Sequence, residues 1–469
     1  MSVRELDFDS CYRAVAARDA RFDGRFYTAV TSTNIYCRPI CPARTPSIRN
    51  VRFYRHAASA EAAGFRPCKR CRPELSPGDP GWDHRGDLIG RALRLIDEGV
   101  ADDGGMTRLA GRLHITGRHL HRLFTAEIGV GPLAVARTKR LLLAKQLLTE
   151  TGLPIVDVAF ASGFGSVRQF NATMKDTYGF TPGELRATTG ARPGVRGDAL
   201  TLRLHRREPY DAETLMRFLA ARAIPGLEHG DGTSYRRAVP GGTITLTPVP
   251  GHVRLEVSLD DTRHLARTVA RCRRLLDLDA DPEAISSALG ETSLAPLVAA
   301  RPGLRVPGAW DGFEMAVRAV VGQQISVAGA RTILGRISAR AGRPTGGQGL
   351  THLFPTAREL AEADLAGLGL TGRRVATLKA LAARVASGEI DLDGAQEPAR
   401  AVAGLLEIPG IGPWTCGYIA LRALRDPDAW PGGDLGLRRA MACLGIPEDH
   451  IERWRPWRAY AALHLWSSA

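Results

Sequence analysis

Two pairs of cysteines, Cys37-x3-Cys41 and Cys68-x2-Cys71, stand within 35 residues of one another. Two short-spaced pairs of soft donors from separate stretches of chain suit a tetrahedral zinc ion, and chance seldom puts both in one small segment. Most four-cysteine sites only hold a fold together. Here Arg38, Arg44, Arg66, Lys69, Arg70 and Arg72 crowd around the cluster, so a phosphate backbone can be drawn to a sulfur. Four thiolates around Zn2+ carry a formal charge of about −2 and stay nucleophilic at neutral pH. The second place for chemistry is Asp434 in WPGGDLGLRRA, the only acid between Asp428 and Glu448. An aspartate at a helix start is ordinarily an N-cap. The aromatic residues around it change that weighing. Trp414, Trp430, Trp454, Trp457 and Trp466 put five of the seven tryptophans in the last 60 residues, with Tyr418 beside Trp414. Trp454 and Trp457 are assigned to the core; the others can wall a pocket in which a cationic, everted base stacks by cation–π attraction.

Other elements must deliver these groups to a partner. In LLEIPGIGPWT (405–415), Gly410 and Gly412 allow close backbone approach and Pro413 suits a first helical turn. That pattern reads as a hairpin between helices whose N–H groups grip a DNA phosphate. In TRLAGRLHITGRHLHRLF (107–124), Leu109, Leu113, Leu120 and Phe124 are spaced to bury one face, leaving Arg118, His121 and Arg122 outside. The stretch IVDVAFASGFGSVRQF (155–170) repeats the logic, with Ile155, Val158 and Ala159 inward, Gly163 at the turn, and Ser166, Arg168 and Asn171 outward. Short polar and guanidinium side chains on a second helix can read base edges in the major groove.

The whole chain agrees with a polyanionic partner. It has 469 residues, enough for three or four domains, and a net charge of +14. Residues 1–80 hold 14 Lys+Arg against 8 Asp+Glu, the most basic segment for its length. Neither a signal-peptide core in MSVRELDFDS nor a run of 18 apolar residues occurs, so a soluble protein of the cytoplasm and nucleoid, with no membrane partner, is expected. In a reducing compartment clustered cysteines favour metal over disulfides, and Cys11, Cys272, Cys416 and Cys443 read as ordinary thiols. Pro/Gly-rich stretches at 72–83 and 188–198 read as linkers, and 301–311 as a turn. Helical periodicity runs through 88–187, strands are predicted within 199–260, and an all-helical region from Pro282 to the end.

Three resemblances join these readings. Over residues 5–75, FYTAVTSTNIYCRPICPAR and NVRFYRHAASAEAAGFRPCKRC resemble the amino-terminal domain of the Ada DNA-alkylation-response proteins. This implies that Cys37 accepts a methyl group from a DNA methylphosphotriester, with Cys41, Cys68 and Cys71 completing a site for one Zn2+. Residues 85–187, with the tail DTYGFTPGELR, resemble the AraC-type DNA-binding domain, which implies promoter binding and RNA polymerase as a partner. From Leu200 to Trp466, FLAARAIPGLE, RPGLRVPGAWDGFEMAVRAVVGQQISVA and RWRPWRAYAALHLW resemble the AlkA glycosylases of the helix-hairpin-helix family. That resemblance makes Asp434 the essential carboxylate. Trp414, Tyr418 and Trp466 become the base pocket, and 408–412 a phosphate loop with a monovalent cation. At the position of the family's inserted leucine this chain has Gln324, so a glutamine plug is expected. No lysine stands near Asp434 for a Schiff-base step. The Pro-Cys-His-Arg motif of the second Ada methyltransferase domain is absent, so O6-methylguanine repair is not expected.

The expected fold is a multidomain α+β chain. It comprises a small zinc-bound α/β domain (1–78), an all-α tandem helix-turn-helix domain (84–188), an AlkA-like mixed α/β subdomain (198–282) and an all-α helix-hairpin-helix glycosylase domain (283–469). The expected protein is a monomer that acts on alkylated and promoter double-stranded DNA as a methyl acceptor, a regulator and a 3-methyladenine-type glycosylase. Two alternatives stand beside it. One is a damage-sensing regulator whose glycosylase half only docks on DNA; the other is a repair enzyme whose AraC-like segment only adds affinity.

Overall fold

The computed structural model describes residues 6–79, 88–188, 199–347 and 349–468; of the expected linkers, 188–198 falls largely outside them, whereas 72–79 is described and holds a short 3-10 helix, Pro73–Leu75, with Pro73 and Leu75 buried. The fold is mixed α+β. The chain divides into two compact units, Met1–Arg207 with Leu259–Ala270, and Glu208–Ser258 with Arg271–Ala469.

In the first unit, strands Val51–Tyr54, Tyr27–Val30, Ile35–Cys37 and Arg66–Pro67 stand side by side in that order. The first three pair antiparallel, and the last runs parallel to its neighbour with Tyr36 opposite Pro67. A parallel pair leaves the sheet at one end. Cys37 and Cys68 therefore emerge together, held by a 2.9 Å bond from the Cys68 N–H to the Tyr36 carbonyl. Tyr36, Ala29, Ala60 and Phe65 form the small core beneath.

Among the described residues seven helices follow, Leu88–Asp97, Val100–Arg112, Gly117–Ile128, Pro132–Glu150, Ile155–Ala161, Val167–Tyr178 and Pro182–Ala187. Leu109, Leu113, Leu120 and Phe124 are buried as their spacing predicts, and so are Val158 and Ala159. Ile155 departs from expectation. It opens its helix and is only half-buried, while Asp157 takes an inward place. The helix Pro132–Glu150 buries Thr138 and Lys145, each 1% exposed, because partners from the zinc-binding lobe await them. The Thr138 hydroxyl donates to Glu61 (2.5 Å), whose other oxygen accepts from Tyr36 (3.0 Å) and Tyr178 (3.3 Å). Burial pushes the Glu61 carboxyl up, and these hydroxyls oppose the shift. Lys145 Nζ donates to Glu74 (2.7 Å) and to the Cys68 carbonyl (3.0 Å). Breaking such a pair strands a buried charge, so Lys145→Met should lower unfolding stability by about 3 kcal/mol in a denaturant titration. An unchanged midpoint would show that the pair contributes nothing.

In the second unit, strands Glu228–Gly230, Tyr235–Val239, Gly242–Val249 and His252–Leu259 are successive sheet neighbours. The helices Gly312–Val321, Val327–Ala341, Gly372–Ala386, Pro398–Leu406, Pro413–Arg422, Leu435–Cys443 and Arg458–Trp466 follow. The expectation of an all-helical region needs one correction. Pro344–Gly347 and Leu350–His352 form a small antiparallel hairpin, which docks through a 2.6 Å bond from the Thr351 N–H to the Gly226 carbonyl.

Arg237 from the sheet bonds Glu228 (2.6 Å) and Glu314, and Arg318 bonds Glu228 and Glu314 at 2.7 Å each. Burial alone would raise the Glu228 pKa, but the two guanidiniums outweigh it and hold the carboxyl well below its usual range. A carboxyl depressed in the folded state adds stability above its unfolded pKa, and that stability is lost as pH falls through the folded one. Glu228→Gln should therefore be less stable than the parent at pH 7, and its stability should fall less steeply below about pH 4.5. Thermal melts across that range measure the difference.

Candidate functional site

The four cysteine sulfurs converge, all within 4.8 Å of one another. A tetrahedron with metal–sulfur bonds of about 2.3 Å fits that spread with small adjustments. Backbone N–H groups of Arg38 and Arg70 donate to Cys71 Sγ and Cys68 Sγ at 3.3 Å each, which orients the sulfurs. Cys68 and Cys71 are buried, whereas Cys37 and Cys41 are partly exposed. The expectation that Cys37 is the reactive sulfur comes from the CRPIC resemblance.

The basic ring around the cluster is smaller than its sequence implied. Arg38 is buried against Asp23, donating to Oδ1 at 2.9 Å, and also reaches the Cys71 carbonyl. Arg72 is taken up by Glu74, Thr149 and Glu150. Arg38 is buried in its ion pair and Arg72 is partly buried and committed to three partners, so neither is as free for a phosphate as an exposed guanidinium. Arg44, Arg66 and Arg70 remain exposed, and Lys69 lies 4.4 Å from the Phe180 ring centroid.

In the helical part of this unit, Arg118, His121 and Arg122 are exposed on Gly117–Ile128. Ser166, Arg168 and Asn171 are exposed on or beside Val167–Tyr178. Ser166 also caps its helix, accepting from the Gln169 N–H at 3.2 Å. Gly163 turns between the two helices with φ +87°.

In the second unit Asp434 is both cap and centre. Its Oδ1 accepts from the Leu437 N–H (2.9 Å) and Trp466 Nε1 (3.0 Å), and its Oδ2 accepts from Trp414 Nε1 (2.8 Å). Three donors fix the carboxylate and leave Oδ2 with a lone pair to spare. Gly436 makes room for this, since a Cβ there would come within 3.1 Å of Asp434 Oδ1 and 3.4 Å of the Trp466 ring. Trp414 and Tyr418 lie nearly parallel at 7° with centroids 5.7 Å apart, and Trp466 meets Tyr418 edge-on. Two aromatic planes about 3.4–4 Å from an intervening base would stand some 7 Å apart. The gap between Trp414 and Tyr418 is thus too narrow to admit a planar ring, and only their outer faces are open to stacking. Asp434, Trp414, Tyr418 and Trp466 share a cleft of about 570 Å³, within the range of ligand-binding pockets.

The same cleft includes residues that sequence patterns did not single out, among them Phe218, Arg222 and Arg422. Arg422 Nη1 donates to the Tyr418 hydroxyl at 2.8 Å. Burial would raise the Tyr418 pKa, but the charges of Arg422 and Arg222 prevail and lower it. The stretches FLAARAIPGLE and WTCGYIALR contain these arginines, yet only the tertiary fold brings them together. Gln324 is exposed, with φ +58°, and its neighbours Gly322 and Ile325 line the cleft. In the 408–412 hairpin, Gly410 takes φ +96°, and Gly412 caps the helix that begins at Pro413.

Comparison with known proteins agrees with this assembly. Residues 10–74 match the metal binding domain of Ada, 109–188 a helix-turn-helix domain, and 201–311 the AlkA N-terminal domain. The four-cysteine cluster is thus a zinc site. The chain is 48% identical to the probable bifunctional transcriptional activator/DNA repair enzyme AlkA of Mycobacterium tuberculosis, over 98% of this chain and 96% of that one. It belongs to the family of that bifunctional transcriptional activator/DNA repair enzyme. Within the AlkA-type family, its second half is 34% identical to DNA-3-methyladenine glycosylase 2 of Escherichia coli, over 56% of this chain and 95% of that protein. The first part is 36% identical to the bifunctional transcriptional activator/DNA repair enzyme Ada of Escherichia coli, over 39% of this chain and 49% of that protein. Among the described residues no helix is long and apolar enough to cross a membrane.

Proposed function

We propose that this chain repairs alkylated DNA at two separate centres and regulates transcription through the helices between them. The module limits we assign are 1–78 for methyl acceptance, 84–188 for promoter reading, and 198–282 with 283–469 for base excision. The protein works as a monomer in the cytoplasm, on double-stranded DNA, with RNA polymerase as its partner at promoters.

The observation that carries the excision reading is Asp434, anchored by two indoles and a backbone N–H at the wall of an aromatic cleft. A purine alkylated at N3 or N7 is cationic and leaves readily. The bond from C1′ to the base nitrogen breaks, and its electron pair stays on the base and neutralises it. The sugar is left oxocarbenium-like, and the fixed negative charge of Asp434 stabilises it electrostatically. Water then adds at C1′ and releases a proton. The free lone pair on Oδ2 can accept the hydrogen bond that orients this water. The faces of Trp414, Tyr418 and Trp466 attract the cationic base more than a neutral one. Gln324 fills the gap in the duplex, and the 408–412 hairpin holds a backbone phosphate together with a monovalent cation.

At the zinc centre, Cys37 is the acceptor. Its sulfur displaces the phosphotriester oxygen at the methyl carbon, so a C–S bond forms as the C–O bond breaks, and the phosphate leaves as the diester anion. Zinc held by the four cysteines would keep that sulfur a thiolate at neutral pH. The triester is neutral, so the thiolate meets no full negative charge on approach. Arg44, Arg118, His121, Arg122, Ser166, Arg168, Asn171, Gly410 and Gly412 are the DNA contacts we assign.

The test is abasic-site formation in alkylated duplex DNA, run beside a footprint at the protein's own promoter. Abasic sites and a footprint together support the reading. Duplex binding without base release would reduce the second half to a docking module.

A further inference from the structure

Two adjacent glutamines lie in the turn between Gly312–Val321 and Val327–Ala341, and they make opposite contacts. Gln324 is exposed, makes no hydrogen bond within the described protein, and has a left-handed backbone at φ +58° that side chains disfavour. Gln323 is turned inward. Its Nε2 donates to the Gly410 carbonyl at 3.0 Å and to Thr415 Oγ1 at 2.8 Å, and its own carbonyl accepts from Arg374 Nη2 at 2.6 Å. The hairpin is itself clamped. Thr377 Oγ1 donates to the Pro409 carbonyl at 2.7 Å, and a Cβ on Gly410 would come within 2.3 Å of the Thr377 hydroxyl oxygen. Thr377 and Arg374 belong to one helix, Gly372–Ala386. The turn, the hairpin and that helix therefore close a ring of contacts with Gln323 at its centre.

We propose that Gln323 is a positioning residue, which locks Gln324 in its outward, left-handed pose and fixes the plug at a set distance from the phosphate grip. The inference rests on the glycosylase reading and on Gln324 as the plug. A strained exposed residue keeps its conformation only when its surroundings over-determine it, and the bonds of Gln323 and Arg374 do that here. One amide spans the carbonyl of Gly410 in the gripping hairpin and the hydroxyl of Thr415 in the helix bearing Trp414. A phosphate seated at the hairpin thus sets where the plug enters the duplex. The lock matters most when the damaged base must be forced out of a pair.

The experiment compares single-turnover release of one 7-methylguanine opposite cytosine with release of the same base opposite an abasic residue, where no pair has to be broken. Gln323→Leu should slow release from the paired site by about tenfold, the cost of two lost hydrogen bonds, and from the unpaired site by much less. Arg374→Met removes the bond on the other side of the turn and should show the same bias, which keeps the test alive if Gln323→Leu fails to fold. Equal slowing of both substrates by either folded variant, or no slowing, would overturn the proposal. Two further arms test the readings beneath it. Undiminished release by Asp434→Asn overturns the glycosylase assignment, and absence of the paired-site bias in Gln324→Ala overturns the plug assignment. Either of those results overturns the proposal as well, and is told apart from failure of the Gln323 lock by the variant that shows it.

Discussion

Asp434→Asn should cut release of alkylated bases by a hundredfold or more, on the order of what removing one preorganised electrostatic group costs, while duplex affinity stays within about twofold. Asparagine keeps the shape and one acceptor oxygen. It can still cap Leu435–Cys443 by accepting from the Leu437 N–H, and can still accept from the Trp466 side chain at Nε1, as Asp434 Oδ1 does. What it loses is the charge, and its NH2 group then faces the indole N–H of Trp414, donor against donor. The sugar cation loses its counter-charge just when it forms. Alkali-cleaved abasic sites on a gel give the rate, and a filter or fluorescence titration gives the affinity. Release at the parental rate would show that the carboxylate serves only as a helix cap.

The second large effect falls on the zinc centre. After incubation with DNA carrying methylphosphotriesters, peptide mass spectrometry should find one added methyl group on Cys37 and none on Cys41. Cys37→Ser should abolish the uptake. Finding the methyl group on Cys41 would move the acceptor to the other partly exposed sulfur of the pair. Methylation turns one thiolate into a neutral thioether, so the formal charge of the centre goes from about −2 to about −1. Less repulsion from the phosphate backbone should then raise DNA affinity at fixed salt. Equal salt-matched affinities before and after methylation would rule out a charge switch at this centre.

The candidate residues for chemistry stand out in the sequence because their signals are local. Paired cysteines at x3 and x2 spacing, two glycines before a proline, and a lone aspartate among tryptophans all declare themselves in short stretches. Their spacing follows from metal geometry, helix entry and base stacking, which are the same in any fold. The buried faces of the paired helix-turn-helix segments were also legible, with Ile155 half-exposed because it begins its helix and has no preceding turn to cover it. The roles of charged residues were read less well. Arg38 and Arg72 resembled their exposed neighbours in the sequence, yet Asp23 engages the first and Glu150, with the nearby Glu74, the second. Lys145 carries no local mark of burial in the sequence, yet it is 1% exposed, bound to Glu74 and to the carbonyl of a zinc-ligating cysteine. The hairpin at 344–352 was missed because Pro-Thr-Gly-Gly has neither alternation nor strand propensity, and it forms by docking beside Gly226.

By itself the amino-acid order singled out the cysteine sulfurs and the Asp434 carboxylate as candidate reactive groups and pointed to a polyanion as their partner. Only the tertiary structure decided which charges are spent inside the protein, which of two neighbouring glutamines faces outward, and how three donors hold one carboxylate. Those outcomes depend mostly on partners 15 to 92 residues away. Burial and hydrogen bonding are settled between such distant groups, and no local pattern records them.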